Sequence, residues 1–197
     1  MKTKHEIYHD FDRQYPVSGF EIVNGFAVIT TNCYVFGNEK VKVYDSRVRA
    51  YGNSRVLAYG NSRVLAYVSS EVEGHDNSVV WAFDNSDVTA FDNSDVTAFD
   101  NSGVMSKHNS KVMAKNNSEV KAFDKSVVLA RDNSIVWAYG DSKFIAYDNS
   151  VVWAHGNSIV WADKSVVEAF NSKVKAYDSS NKSVVEAFRN SKINRIR

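Results

Sequence analysis

The chain has 197 residues and a formal net charge of +1, with a lopsided composition of 29 Val, 24 Ser, 19 Asn and 17 Ala against three Leu and one Pro. Helical proteins lean on leucine, whereas β-branched Val with helix-poor Asn and Ser works against a helix, so an all-β fold is expected. No apolar run approaches the roughly 20 residues that span a bilayer, the start lacks the apolar core of a secretory signal, and the single Cys33 can form no intramolecular disulfide; we expect no membrane and a reducing cytoplasm.

In chain order, the first motif is His5-Glu6-Ile7-Tyr8-His9, which matches the His-Glu-x-x-His zinc pattern. We set it aside, because only four residues precede it and no third ligand follows at a familiar spacing. Residues 1–37 carry no repeat and hold Pro16. Phe20–Val23 and Phe26–Thr30 flank Asn24-Gly25, a strong hairpin signal, and the expected role is an N-terminal cap that hides the edge of the first coil. Residues 38–45 lead in through Val41-Lys42-Val43-Tyr44-Asp45.

From Ser46 onward the chain repeats every eight residues as Ser-x-Val-x-Ala-aromatic-Asp/Gly-Asn, in eighteen units that end with the one at Ser183. The third position is Val in every unit but one, Phe144, and the fifth is Ala except at Gly74 and Ser106. Residues one, three and five of a strand share a face, so the constant Ser, Val and Ala point inward and the variable positions two and four point outward. A helix would drift roughly 80° per repeat and spread its valines around the surface. Two units with a corner between them close a flattened 16-residue coil, and stacked coils make a β-solenoid. About nine coils are expected, in a rod roughly 40–45 Å long; a three-sided coil of 24 residues is the alternative. Serine hydroxyls and corner Asn amides are expected to bond their copies in the next coil, and corner aromatics such as Tyr51, Tyr59, Tyr67, Phe83, Phe91 and Phe99 to stack. The units at Ser158 and Ser165 are one residue short and Ser179–Lys182 is an insertion, which suggests a bend or a changed corner. The domains are then a cap (1–37), a solenoid (38–191) and a basic tail (192–197) that is either a cap or a mobile arm.

The stretch Asp84-Asn85-Ser86-Asp87-Val88-Thr89-Ala90-Phe91-Asp92-Asn93-Ser94 resembles the plant ice-recrystallisation inhibitors, β-rolls with two short repeats per coil. The resemblance covers residues 46–191 and implies the same architecture. It also makes ice binding an alternative function, which needs outward ladders of small residues; only Thr89 and Thr97 qualify. More loosely the chain resembles the pentapeptide-repeat proteins, some of which imitate the shape and charge of duplex DNA.

Catalysis is not expected, and neither is a metal or cofactor. The repeat serines face inward, His75, His108 and His155 do not cluster, and Cys33 has no evident partner base. The glycosylation-type tripeptides at Asn116 and Asn181 are read as chance. Outward charge, by contrast, is banded. Arg47, Arg49, Arg55 and Arg63 precede an acidic band of Glu71, Glu73, Asp76, Asp84, Asp87, Asp92, Asp95 and Asp100; a mainly basic stretch with Lys107, Lys111, Lys115, Lys121 and Lys125 comes next. An apolar region then includes Ile135, Trp137, Ile145, Val151, Trp153, Ile159 and Trp161. Tryptophans outside a thin rod call for a cover, so a homodimer or partner interface is expected there. The leading expectation is a non-catalytic interaction protein whose acidic band imitates phosphates toward a nucleic-acid-processing enzyme, as a phage or mobile-element inhibitor would. A structural spacer or self-assembling fibre is the other alternative. Direct nucleic-acid binding is disfavoured, because a basic band beside an acidic one leaves a poor electrostatic footprint.

Overall fold

The computed structural model describes residues 5–177 and 183–196, and every element in it is a β-strand. The coil is the 16-residue one. Val80 lies in parallel register between Val64 and Val96, a spacing that rules out the three-sided alternative. Two 12-stranded sheets form the flattened sides of the rod. Sheet I runs from Cys33–Val35 through Arg47–Ala50, Arg63–Ala66, Val79–Ala82, Asp95–Ala98, Lys111–Ala114, Val127–Ala130, Lys143–Ala146, Ile159–Asp163 and Lys173–Tyr177 to Lys192–Ile196. Sheet II runs from Phe26–Ile29 through Lys40–Tyr44, Arg55–Tyr59, Glu71–Gly74, Asp87–Ala90, Gly103–Ser106, Glu119–Ala122, Ile135–Ala138, Val151–His155 and Val166–Phe170 to Val184–Phe188.

In each sheet one further strand is antiparallel. Ile7–Tyr8 covers Cys33–Val35, and Glu21–Val23 covers Phe26–Ile29 through the hairpin at Asn24-Gly25. Eleven strands per sheet therefore stack in parallel, about ten turns of the rod: the octapeptide units supply nine of the eleven in each sheet, as expected, and the rest come from outside the repeat. At about 4.8 Å per step it is about 50 Å long. The extra coil is built by Phe26–Val35, which lack the octapeptide signature but keep its alternation: Ala27, Ile29, Cys33 and Val35 are buried. At the other end Lys192–Ile196, set apart in the sequence as a basic tail, form the last strand of sheet I, paired to Lys173–Tyr177. There Arg195 stands in register with buried Ala176.

The core is a column of Val and a column of Ala on each side, closed by Ser. The serine hydroxyls do not mainly bond their copies in the next coil. Most donate to the carbonyl three residues back, as Ser86 Oγ does to Phe83 O (2.8 Å) and Ser94 Oγ to Phe91 O (2.7 Å), while Ser78 and Ser94 form one of only two hydroxyl–hydroxyl contacts between serines among the described residues. A strand spacing of 4.8 Å leaves like atoms too far apart for a good bond, whereas the corner carbonyl lies within reach. Most of these hydroxyls thus fasten their own corners.

The corners need a left-handed residue, and Asp supplies it at Asp84 (φ 60°) and Asp92 (φ 57°). The carboxylate adds a second tie: Asp76 Oδ2 accepts the N–H of Gly60 at 2.9 Å and Asp84 Oδ2 that of Val68 at 3.2 Å, each joining one coil to the coil before. Val68 holds the same left-handed position at φ 68° although its side chain is β-branched and 49% exposed. Because Val68 buries little and strains the backbone, Val68→Asn is expected to stabilise the rod by about 1 kcal/mol, seen as a higher midpoint in urea. The two shortened units cost the solenoid a corner residue and not its register. Val151–His155 still pairs in parallel with Val166–Phe170, and Ile159–Asp163 with Lys173–Tyr177. The insertion Ser179–Lys182 lies outside the described residues.

Corner aromatics stack as expected along both edges: Phe36, Tyr51, Tyr67, Phe83 and Phe99 on one, and Tyr44, Tyr59, His75 and Phe91 on the other, with ring centroids 4.7–5.2 Å apart. The stacks break where lysine replaces the ring, and there Lys107 and Lys115 lie over Phe91 and Phe99.

Candidate interaction faces

Stacking converts bands along the chain into faces around the rod, because outward positions of successive units alternate between the two sheets. The acidic band is dispersed by this rule. Glu71, Glu73 and Asp87 stand outward on sheet II, and Asp95 stands alone on sheet I. Asp76 and Asp92 occupy one edge of the rod, Asp84 and Asp100 the other. The edge carboxylates are committed to the fold: Asp76, Asp84 and Asp92 accept backbone N–H groups, and Asp100 accepts from the Asn116 amide at 3.0 Å. On sheet II, Arg55 reaches both glutamates, at 3.5 Å to Glu71 and 2.5 Å to Glu73, and that hydrogen bond to Glu73 pushes its guanidinium further up.

The apolar region divides likewise. Ile135 pairs with Val151 and Trp137 with Trp153 on sheet II, the two indoles stacked 5.3 Å apart. Ile145, Ile159 and Trp161 belong to sheet I, where Ile145 pairs with Trp161. That second group is the end of something longer. Register through successive pairs aligns Leu65, Trp81, Thr97, Met113, Leu129, Ile145 and Trp161 in one half-buried column, about 30 Å from end to end. Three shallow cavities are strung along it, of about 360 Å³ by Leu65 and Trp81, 300 Å³ by Met113, Leu129 and Ile145, and 290 Å³ by Ile145 and Trp161.

The same face is strongly basic. Its exposed outward positions hold Arg47, Arg49, Arg63, Lys111, Lys143, Lys173, Lys175 and Lys192 against Asp95, which lies 3.9 Å from Lys111, and the half-buried Asp163 beside the cavity at Trp161. Sheet II is mixed, with Lys40, Lys42, Arg55 and Lys121 against Glu71, Glu73, Asp87, Glu119, Glu168 and Glu186. Sequence reasoning missed Leu65, Trp81 and Met113 as members of the column. Their signal was present at a spacing of 16, but each is separated from the next by a unit that belongs to the opposite face.

The groups that could suggest chemistry are placed elsewhere. Ile7 and Tyr8 are strand, so His5 and His9 are not one helical turn apart, and His5 Nδ1 lies 2.9 Å from a Glu39 carboxylate oxygen. Cys33 is buried inside the first coil, and burial pushes its thiol up to about 12, which leaves almost no thiolate at neutral pH. Thr89 lies on sheet II and Thr97 on sheet I, flanked in their columns by Glu73 and Met105 and by Trp81 and Met113, so neither belongs to a threonine ladder. The chain matches no protein-family model, no curated protein and no solved structure.

Proposed function

We propose that the chain is a non-catalytic binding module, a rigid rod whose sheet I takes the acidic surface of a protein partner. The observation that carries this reading is the apolar column from Leu65 to Trp161 set among eight cations and two acids, Asp95 and Asp163, on one face. An apolar centre gives affinity and a charged surround gives steering and partner choice. A protein with an acidic rim suits both parts; a nucleic acid would leave Leu129, Ile145 and Met113 without complementary contacts. The buried serine hydroxyls and the buried Cys33 thiol support a non-catalytic role.

The test is capture by immobilised chain from lysate at low salt. Proteins with acidic surfaces are expected to be retained, to elute as salt is raised, and to be lost with the variant Arg63→Glu/Lys111→Glu/Lys143→Glu. Retention by that variant overturns the reading. Phosphate mimicry toward a nucleic-acid-processing enzyme is the second reading, favoured by the cluster of Glu71, Glu73 and Asp87 on sheet II. It requires capture to survive the sheet I changes and to fail with Glu71→Lys/Asp87→Lys.

A further inference from the structure

Sheet II carries its own apolar patch, Ile135, Trp137, Val151 and Trp153, and the residues around it are arranged so that the patch complements itself. Along one outward column the order is Met105, Lys121, Trp137, Trp153, Glu168, Glu186; along the other it is Gly103, Glu119, Ile135, Val151, Val166, Val184. We infer that two copies of this chain dimerise through sheet II with their rods antiparallel, about a two-fold axis along the strand direction between Trp137 and Trp153. This goes beyond the sheet I reading and does not depend on it.

Such an axis keeps each column opposite itself and reverses its order. Trp137 then faces the second copy's Trp153, and Ile135 faces its Val151, so the four indoles form the centre. Lys121 faces Glu168 on both sides of that centre, placing opposite charges across the interface twice. Neither residue has an ion-pair partner within its own chain among the described residues, and Lys121 instead lies over the Trp137 ring. At the rim Gly103, with no side chain, faces Val184, which is 55% exposed. The alternative two-fold, along the rod, sets each coil against its own copy. It pairs Lys121 with Glu119 but brings Glu71 onto Glu73, Lys40 onto Lys42 and Glu168 onto Val166; the antiparallel axis sets Glu119 opposite Val166 and Glu186 opposite Met105, and it makes no like-charge contact across the six-strand overlap. The antiparallel overlap of six strands measures roughly 30 Å by 15 Å on each partner. With side-chain relief this approaches the ~1,000 Å² of total buried surface that a specific interface needs.

Sedimentation velocity on the full chain is expected to show a dimer. Lys121→Glu and Glu168→Lys should each weaken it by about tenfold or more, since one substitution breaks both symmetry-related pairs. The double variant Lys121→Glu/Glu168→Lys should return to within about threefold of the native affinity, because the pair is rebuilt with its signs exchanged. A chain that is monomeric at every concentration, single variants that dimerise like the native chain, or a double variant no better than the singles overturns the inference. None of these residues lies on sheet I, so the outcome is independent of partner capture there.

Discussion

Phe144→Ala is expected to cost about 3–5 kcal/mol, the largest effect of any conservative truncation in the rod. Phe144 is the largest fully buried side chain, 1% exposed, and occupies the inward third position that Val holds in every other unit. It sits in register between Val128 and Val160. The core is one side chain deep on each sheet, so the space left by the ring can be filled only by moving backbone, and the backbone is fixed by parallel pairing on both sides. Each coil contacts only its neighbours, and the loss should therefore appear as local opening. Amide hydrogen exchange is expected to quicken in Val127–Ala130, Lys143–Ala146 and Ile159–Asp163 while Arg63–Ala66 keeps its protection. Phe144→Val should cost only about 1–2 kcal/mol, since it restores the side chain the coil geometry was built around. Uniform loss of protection along the whole rod would show that the coils do not behave as nearest-neighbour units.

The fold was legible because Ser, Val and Ala recur at positions one, three and five, and only a strand keeps that set on one side. Asn24-Gly25 likewise announced its hairpin by local backbone chemistry alone. Three features were harder to read for physical reasons. Phe26–Val35 build a coil from ordinary apolar alternation, so nothing in the octapeptide marks them as part of the stack. The serine hydroxyls chose the carbonyl three residues back over the next coil's hydroxyl, a contest decided by tenths of an ångström. The corner aspartates looked like free charge, yet Asp76, Asp84 and Asp92 spend their carboxylates on backbone N–H groups of the preceding coil. That commitment leaves only Glu71, Glu73, Asp87 and Asp95 of the acidic band on outward positions. The pairing of Ile135 with Val151 and Trp137 with Trp153 came directly from the 16-residue coil. The column from Leu65 to Trp161 needed the same arithmetic carried past the last apolar cluster, to residues that look isolated in the chain.

Deleting residues 92–99 is expected to leave a folded rod that no longer captures a partner through sheet I, whereas deleting residues 84–99 is expected to leave capture largely intact. The two octapeptides that begin at Asp84 and Asp92 are identical, so either deletion rejoins the repeat without a scar. Loss of 16 residues removes one strand from each sheet and keeps every later strand on its own side. Loss of eight moves every later strand to the opposite sheet. The inward Ser, Val and Ala are blind to this change because both sheets use the same inward pattern, and the circular dichroism of a β-rod should persist. The outward columns are not blind to it. Trp81 would be followed on its face by Met105, Lys121 and Trp137, and the cations Lys111, Lys143, Lys173 and Lys175 would join Glu71 and Asp87 on the other. The column would be cut in two: Leu65, Trp81 and the arginines stay on one face, while Met113, Leu129, Ile145 and Trp161 pass with their lysines to the other, so neither face keeps the full length of apolar column and basic surround. The sheet II dimer patch lies wholly within residues 103–186 and would be carried across unbroken, so sedimentation should still report a dimer. Capture that survives the eight-residue deletion would separate binding from the face on which these residues are assembled, and would place it in a segment that works without its neighbours.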